Sequence, residues 1–327
     1  MLSGKKKLLA EVTVMDHDQI LSQINEVRLS MQKVMVGKEA AVNLLLIALL
    51  SNGHALLEDV PGIGKTTMVH ALSRSLDCSF ARIQFTPDVM PSDITGLSVY
   101  NLKTQEFEFR PGPVFHQIIL ADEINRTSPK TQSSLLEIMQ EHQVTVDGIT
   151  YNPPSPFMVL ATQNPIEHAG TFPLPDAQLD RFCLSIRMGY PTVEQEMTIM
   201  SRVEKNPDTS FLTPVIKSEA ILELQEAARN IFCADSIKNY IAKIAGATRN
   251  HPDLKLGISP RASIHLMQTA KSMALLEGRD YVVPLDIKQM CLPVLAHRLM
   301  LRSASNAADK TLETVLKELL RSLPVPK

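Results

Sequence analysis

The sequence predicts an α/β fold followed by a helical domain, and three observations carry that expectation. Short apolar strands alternate with helices through the first two thirds of the chain. Two hairpin-like stretches interrupt the alternation. After Tyr190-Pro191 the patterning turns helical, with no strand that the sequence marks. Strand and helix in turn point to a mainly parallel sheet between layers of helices.

Each element has a local reason. His54-Ala55-Leu56-Leu57 is a short apolar strand, and Thr66 to Leu76 is the helix after it. Phe80 to Phe85 alternates as a strand does. Ile118-Ile119-Leu120-Ala121 is another buried strand, followed by a helix from Pro129 to Glu141. Phe157 to Ala161 and Cys183 to Arg187 complete the set. Val99 to Phe109 reads as a hairpin, and Val144 to Tyr151 as a second one turned at Asp147-Gly148. Thr192, with Gln195 three residues on, reads as a capping box. Helices are expected over 193–204, 218–232, 236–249, 260–276, 284–302 and 310–322. Ser259-Pro260 is a serine cap with proline at the first helical position. The expected division is 1–192, an α/β core with an N-terminal helical segment, and 193–327, an all-α lid domain.

Bulk composition narrows the function. The 327 residues are 44% hydrophobic and 21% charged, enough for an ordinary packed core. A formal net charge of −2 gives no basic excess for a polyanion, so nucleic acid is not the expected partner. Cys78, Cys183, Cys233 and Cys291 have no C-x-x-C spacing, which suits reduced thiols. The nine histidines show no H-x-x-x-H pattern. The N-terminus lacks a signal-peptide apolar stretch, and the apolar run from Ala40 to Leu50 is too short to span a bilayer. A soluble, cytoplasmic protein without membrane insertion is expected.

The stretch LEDVPGIGKTT (57–67) sits between a strand and a helix, the setting of a phosphate-binding loop. Such a loop holds phosphate with consecutive backbone N–H groups and the positive end of the helix dipole. Gly62 and Gly64 allow a tight turn around the anion. Lys65 would meet the β- and γ-phosphates, and the Thr66 hydroxyl would ligate Mg²⁺. Pro61, Ile63 and Thr67 complete the expected nucleotide contacts. The G-x-x-x-x-G-K-[ST] pattern wants glycine where Asp59 stands. Its carboxylate would repel phosphate if it faced the anion, so it is expected to point away. Taken alone, Gly64-Lys65-Thr66 also reads as a turn and helix cap.

A second segment, Ile118 to Glu123, is an apolar strand ending in two carboxylates. The strand would bring both acids to the sheet's carboxyl edge beside the phosphate loop. Asp122 would hold Mg²⁺ and Glu123 would polarise the attacking water.

The chain resembles the MoxR family of AAA+ ATPases. The resemblance is carried by LLEDVPGIGKT (56–66), RIQFTPDVMPSDITG (82–96), ADEINRTSPKTQSSLLEIMQE (121–141), VLATQNP (159–165), GTFPLPDAQLDRF (170–182) and SPRA (259–262). It implies a P-loop AAA+ core with hairpin insertions and a C-terminal helical lid closing over bound Mg·ATP. It also implies roles for single residues. Asn164 matches sensor 1, within reach of the γ-phosphate or the attacking water. Arg181 falls where the family places an arginine finger for a neighbouring subunit, a group worth roughly 10³–10⁵ in rate elsewhere. Arg261 matches sensor 2, close to the same phosphate. Val36 and Gly37 resemble the adenine-pocket segment, and Gln84 a switch residue contacting Glu123. The bland alternatives are a turn former at Asn164, a surface ion pair at Arg181 and a first-turn helix residue at Arg261.

The resemblance implies ATP and Mg²⁺ as ligands and a homo-oligomeric ring, expected to be a hexamer. It further implies a chaperone-like action on a protein client. A von Willebrand factor A domain partner would be a separate polypeptide, since the chain contains no D-x-S-x-S. A magnesium-chelatase-like or DNA-acting ring subunit is the alternative.

Overall fold

The computed structural model describes residues 17–60, 62–164, 171–205, 209, 211–302 and 311–326. Helices α1 (His17–Gln32) and α2 (Glu39–Leu50) come first. Strand β1 (Ala55–Glu58) leads through the glycine-rich turn into α3 (Lys65–Ser75), followed by β2 (Phe80–Gln84). Next come α4 (Pro91–Thr95) and the hairpin β3 (Gly96–Asn101) with β4 (Glu106–Pro111). Strand β5 (Ile118–Asp122) precedes α5 (Pro129–Glu141), the hairpin β6 (Val144–Val146) with β7 (Ile149–Tyr151), and β8 (Met158–Gln163). The short α6 (Asp176–Leu179) and β9 (Leu184–Ile186) end the α/β part. Beyond it lie α7 (Val193–Lys205), α8 (Ser218–Asn230), α9 (Asp235–Arg249), β10 (Leu254–Leu256), α10 (Pro260–Leu276), α11 (Pro284–Leu295), β11 (Met300–Leu301) and α12 (Leu312–Ser322).

The main sheet runs β2-β5-β8-β1-β9, every neighbouring pair parallel. Its inner strands are apolar along their length because helices cover both faces; Leu56, Ile119, Leu120, Val159 and Leu160 are fully buried. Parallel strands share a direction, so the segments after β1, β5 and β8 emerge together at the carboxyl edge. Two hydrophobic clusters lie on the two faces, one shared with α1 to α3 and the helical region, the other with α5. The apolar run in α2 is buried in the first of these clusters. Among the described residues no helix is long and apolar enough to cross a membrane.

The helical region differs from an all-α reading in one respect: β10 and β11 form a small antiparallel sheet. The helix expected over 284–302 stops at Leu295, two residues after Pro293, which lacks the N–H for an intrahelical bond. A 3₁₀ turn, Ala296–Arg298, then sends Arg298 toward the core and releases Met300 to pair with Leu256. Likewise α8 ends at Asn230, because Phe232 bridges to Tyr281. The Thr192 capping box forms as read: the Thr192 N–H donates to Gln195 Oε1 (3.0 Å) and the Gln195 N–H to Thr192 Oγ1 (3.3 Å).

Polar contacts hold the sheet's amino edge together and fasten the helical region to it. His54 Nε2 donates to the Met139 carbonyl (3.0 Å), while its Nδ1 accepts the Val159 N–H (3.0 Å). Both ring nitrogens are satisfied only in the neutral form. The Arg298 guanidinium donates to Asp180 Oδ1 (2.8 Å), and the Ser259 hydroxyl donates to the same carboxylate (2.8 Å). His265 Nδ1 accepts from Arg298 (2.7 Å).

Burial lowers His54 to about 4, with His142 adding repulsion. Burial beside Arg298 lowers His265 to about 3 and pushes His297 well below its ordinary value. A histidine with a depressed folded pKa binds its proton more readily unfolded, so stability falls as pH drops below about 6.5. Each such proton steepens the loss by about 1.4 kcal/mol per pH unit. The thermal midpoint is expected to decline continuously from pH 6.5 toward 4. Replacement of His54 by Gln should flatten the slope; an unchanged slope would exclude His54 as a contributor.

Candidate nucleotide site at the carboxyl edge of the sheet

The phosphate loop leaves β1 and closes on α3. Gly62 and Gly64 adopt φ of 84° and 93°, a region that side chains disfavour. No atom lies within 4 Å of where a Cβ would stand at either glycine, so the space over the turn is open. The first N–H groups of α3 lack intrahelical partners and face that space, a cradle for an anion. Thr66 and Thr67 lie on the first turn beside Lys65. Burial lowers the Lys65 pKa, and the carboxylates of Asp122, Asp59 and Glu123 oppose that shift. Lys65 therefore feels both acids at the end of β5. Pro61 lies outside the described residues.

Asp59 turns away from the loop. Its carboxylate accepts the Met188 N–H in a short bond and the Gly189 N–H at 3.4 Å. Its carbonyl holds the Lys65 ammonium at 2.7 Å. Lys38 grips the same turn from the other side, donating to the carbonyls of Met188 (3.0 Å) and Gly189 (2.9 Å). Val36 and Gly37 precede it. Gly37 has φ 64°, and a Cβ there would collide with the Gln195 amide, so this segment is pressed against the start of α7.

The two acids part company at a backbone kink. Asp122 is buried at the end of β5, whereas Glu123 adopts a left-handed φ of 56° and is half-buried. The Thr162 hydroxyl joins them: it donates to Asp122 Oδ1 (2.6 Å) and accepts the Glu123 N–H (2.8 Å). Glu123 Oε2 receives Gln84 Nε2 (2.9 Å) and Arg126 Nη1 (2.9 Å). Asp122 Oδ2 receives Arg82 Nε (3.1 Å) and Nη2 (2.6 Å). Asn164 is buried just past β8, the strand between β1 and β5. Thr66 and Asp122 offer oxygen donors only. That set suits a hard divalent cation taking its other ligands from phosphate and water.

Arg181 and Arg261 do not join this group. Arg181 precedes β9 and therefore lies at the amino edge. Arg261 Nη2 donates to Gln140 Oε1 (3.3 Å), one residue beyond the Met139 carbonyl that His54 holds. The two arginines are neighbours: burial and the charge of Arg261 lower the Arg181 pKa, while Glu137 and Glu141 oppose. The Arg181 Nε is buried without a partner. Arg261 stands apart from its own chain's phosphate loop: β1, four residues and roughly 13 Å long, lies between the two edges. The helical region packs along α2, β9 and the amino edge.

Sequence reasoning passed over Arg82, Arg126, Thr162 and Lys38. Alternation in β2 puts Arg82 on the face of Gln84, a signal open to reading. Arg126 reaches back only three residues to Glu123, whereas Thr162 and Lys38 act through tertiary contacts that no local pattern marks.

A family model described as "ATPase family associated with various cellular activities (AAA)" matches residues 54–184, and one described as an AAA lid domain matches 246–319. Chaperone MoxR1 of Mycobacterium tuberculosis is 40% identical over 99% of this chain and 85% of its own. The chain belongs to the MoxR family of AAA+ ATPases. An uncharacterized Bacillus subtilis protein, YeaC, is 53% identical over 90% of this chain and 92% of its own. A solved protein of Cytophaga hutchinsonii, provisionally described as an ATPase, superposes with a TM-score of 0.89 at 39% identity, covering 95% of this chain and 97% of that one. The chain is thus an ATPase of a chaperone-like family that binds nucleotide with a divalent metal.

Thr162→Val keeps shape and removes the hydroxyl between the acids. It leaves a buried acceptor and an N–H unpaired, an expected cost of about 1–3 kcal/mol in urea unfolding. ATP turnover should fall at least tenfold, with fluorescent-nucleotide affinity nearly unchanged. Full turnover in the variant would remove Thr162 from this role.

Proposed function

We propose that this chain hydrolyses Mg·ATP in a homo-oligomeric ring, a hexamer, and uses turnover to remodel or activate a partner protein complex in the cytoplasm. A separate protein carrying a von Willebrand factor A domain is the proposed partner type. The nucleotide-binding unit is taken as residues 1–192 and the helical unit as 193–327. The single observation that carries the reading is the division of charged groups between the two edges of one sheet. Lys65, Asp122 and Glu123 meet at the carboxyl edge, and Arg181 and Arg261 at the amino edge.

In this reading the loop amides of Gly62 to Thr67 and the Lys65 ammonium bind the β- and γ-phosphates, with Val36 and Gly37 beside the adenine. Mg²⁺, held by Thr66 and Asp122, would neutralise phosphate charge. Glu123 takes the proton of the attacking water, and Asn164 orients that water. Gln84 and Arg126 both donate to Glu123 Oε2 and orient the carboxylate, which leaves Oε1 to take that proton. Arg181 has a buried, unpartnered nitrogen. It and Arg261 serve the phosphate of the adjacent subunit, because their own lies a strand length away.

Two experiments test this. Glu123→Gln should retain nucleotide binding within about threefold while phosphate release drops by ~10² or more. Next, rings of Arg181→Ala subunits and rings of Lys65→Ala subunits should each be inactive. An equal mixture should recover about a quarter of wild-type turnover, since half the subunits carry Lys65 and half their neighbours carry Arg181. Arg261→Ala mixed with Lys65→Ala should behave alike. Mixtures as inactive as either parent would sink the shared-site mechanism.

A further inference from the structure

The carboxylate assigned to the metal already carries a cation of the protein's own. Arg82 sits on β2, the edge strand beside β5. Its Nε (3.1 Å) and Nη2 (2.6 Å) both converge on Asp122 Oδ2. The other oxygen, Oδ1, is taken by Thr162 at 2.6 Å. Among the described residues Oδ2 receives hydrogen bonds from this guanidinium alone, so a divalent ion that takes Oδ2 competes with positive charge already there.

We propose that Arg82 is an internal counter-ion for Asp122 that a divalent cation must displace, so that Arg82 sets how much Mg²⁺ nucleotide binding requires. The proposal rests on the nucleotide reading of the site. Two observations say the guanidinium is able to leave. The Arg82 side chain is 48% exposed, whereas that of Asp122 is 12% exposed, so the arginine can swing into water while the acid stays. The pair also lies at the sheet's edge: Arg82 belongs to β2, an edge strand, and among the described residues its guanidinium bonds reach only Asp122 and Gln84. A guanidinium on a carboxylate is held by two N–H bonds, but a half-exposed pair is worth only about 1 kcal/mol. A divalent ion with phosphate ligands outbids that comfortably.

Displacement has a second effect on the same edge. Arg82 Nη2 also donates to Gln84 Oε1 (2.8 Å), and Gln84 Nε2 donates to Glu123 Oε2 (2.9 Å). The guanidinium thus orients the amide that pins Glu123. When it leaves Asp122, Gln84 loses the partner that fixes which end of its amide faces Glu123. Arg82 is a positioning residue in this scheme and touches neither substrate nor water.

The test reads Mg²⁺ dependence and not turnover. Full-length wild type, Arg82→Gln and Arg82→Lys are titrated with MgCl₂ at a fixed sub-saturating concentration of a fluorescent ATP analogue, and nucleotide affinity is measured separately in EDTA. Arg82→Gln should lower the half-saturating Mg²⁺ about fivefold, the factor equivalent to ~1 kcal/mol. Arg82→Lys, which keeps charge without the paired geometry, should fall between. Affinity in EDTA should stay within twofold. An unchanged Mg²⁺ midpoint in a folded Arg82→Gln protein overturns the proposal, as does a large loss of affinity in EDTA, which would make Arg82 a phosphate ligand. If Arg82→Gln does not fold, Arg82→Lys decides by the same readings. Lys65→Ala is the control: if it binds the analogue like wild type, the nucleotide reading fails and the Arg82 proposal fails with it.

Discussion

A single hydroxyl organises the chemistry of the carboxyl edge. Thr162, buried in β8, bonds the Asp122 carboxylate and the Glu123 amide at once. Without it the left-handed backbone at Glu123 would be a strained turn with an unpaired N–H. With it, the strain is localised and useful. Consecutive residues of a continuing strand would place their side chains on opposite faces of the sheet. The kink instead keeps Asp122 in the sheet and lifts Glu123 out toward Gln84 and Arg126. One acid is buried and one is reachable, which is how adjacent carboxylates come to do different work.

The parallel sheet then dictates what a single chain is unable to do. All five strands point the same way, so one edge collects the loops after strands and the other collects the segments before them. The phosphate loop belongs to the first edge. Arg181 and Arg261 belong to the second, locked there by Asp180, which receives Ser259 from the cap of α10 and Arg298 from beyond α11. An arginine side chain does not cross the length of β1. In the proposed assembly a second copy would complement both edges, and two unlike edges meeting head to tail would build a ring or a helix of subunits.

Much of this was legible in the sequence. The inner strands are continuous apolar runs because both of their faces are buried, and their β-branched and leucine residues mark them plainly. The hairpin at 144–151 announced itself through Asp147-Gly148, both of which adopt positive φ. The cap at Ser259 was readable from the serine-proline pair. What escaped had tertiary causes. Leu254-Lys255-Leu256 is a strand only because Met300 and Leu301 come back to it, and three residues carry too little pattern to be seen. The motif containing Arg261 identifies the residue but not the edge, since that depends on how α10 docks against Asp180 and Gln140. Arg82 and Thr162 gain their roles from neighbours about 40 residues away in the chain.

The unusual loop residue, Asp59, shows how a charge beside a phosphate site is made harmless. Its carboxylate is occupied by two N–H groups of the 188–189 turn, and those bonds direct it outward. Lys38 supplies the compensating charge on the turn's carbonyl side. The turn is therefore clamped between the phosphate loop and the segment that precedes α2, directly before the chain enters α7. Glycine at position 59 would keep the loop's conformation and lose this link. The aspartate ties the glycine-rich loop to the start of the helical region, and its backbone oxygen holds the Lys65 ammonium. Moving Lys65 onto phosphate means leaving that carbonyl, so the residue that anchors the turn is also the one that registers the arrival of an anion.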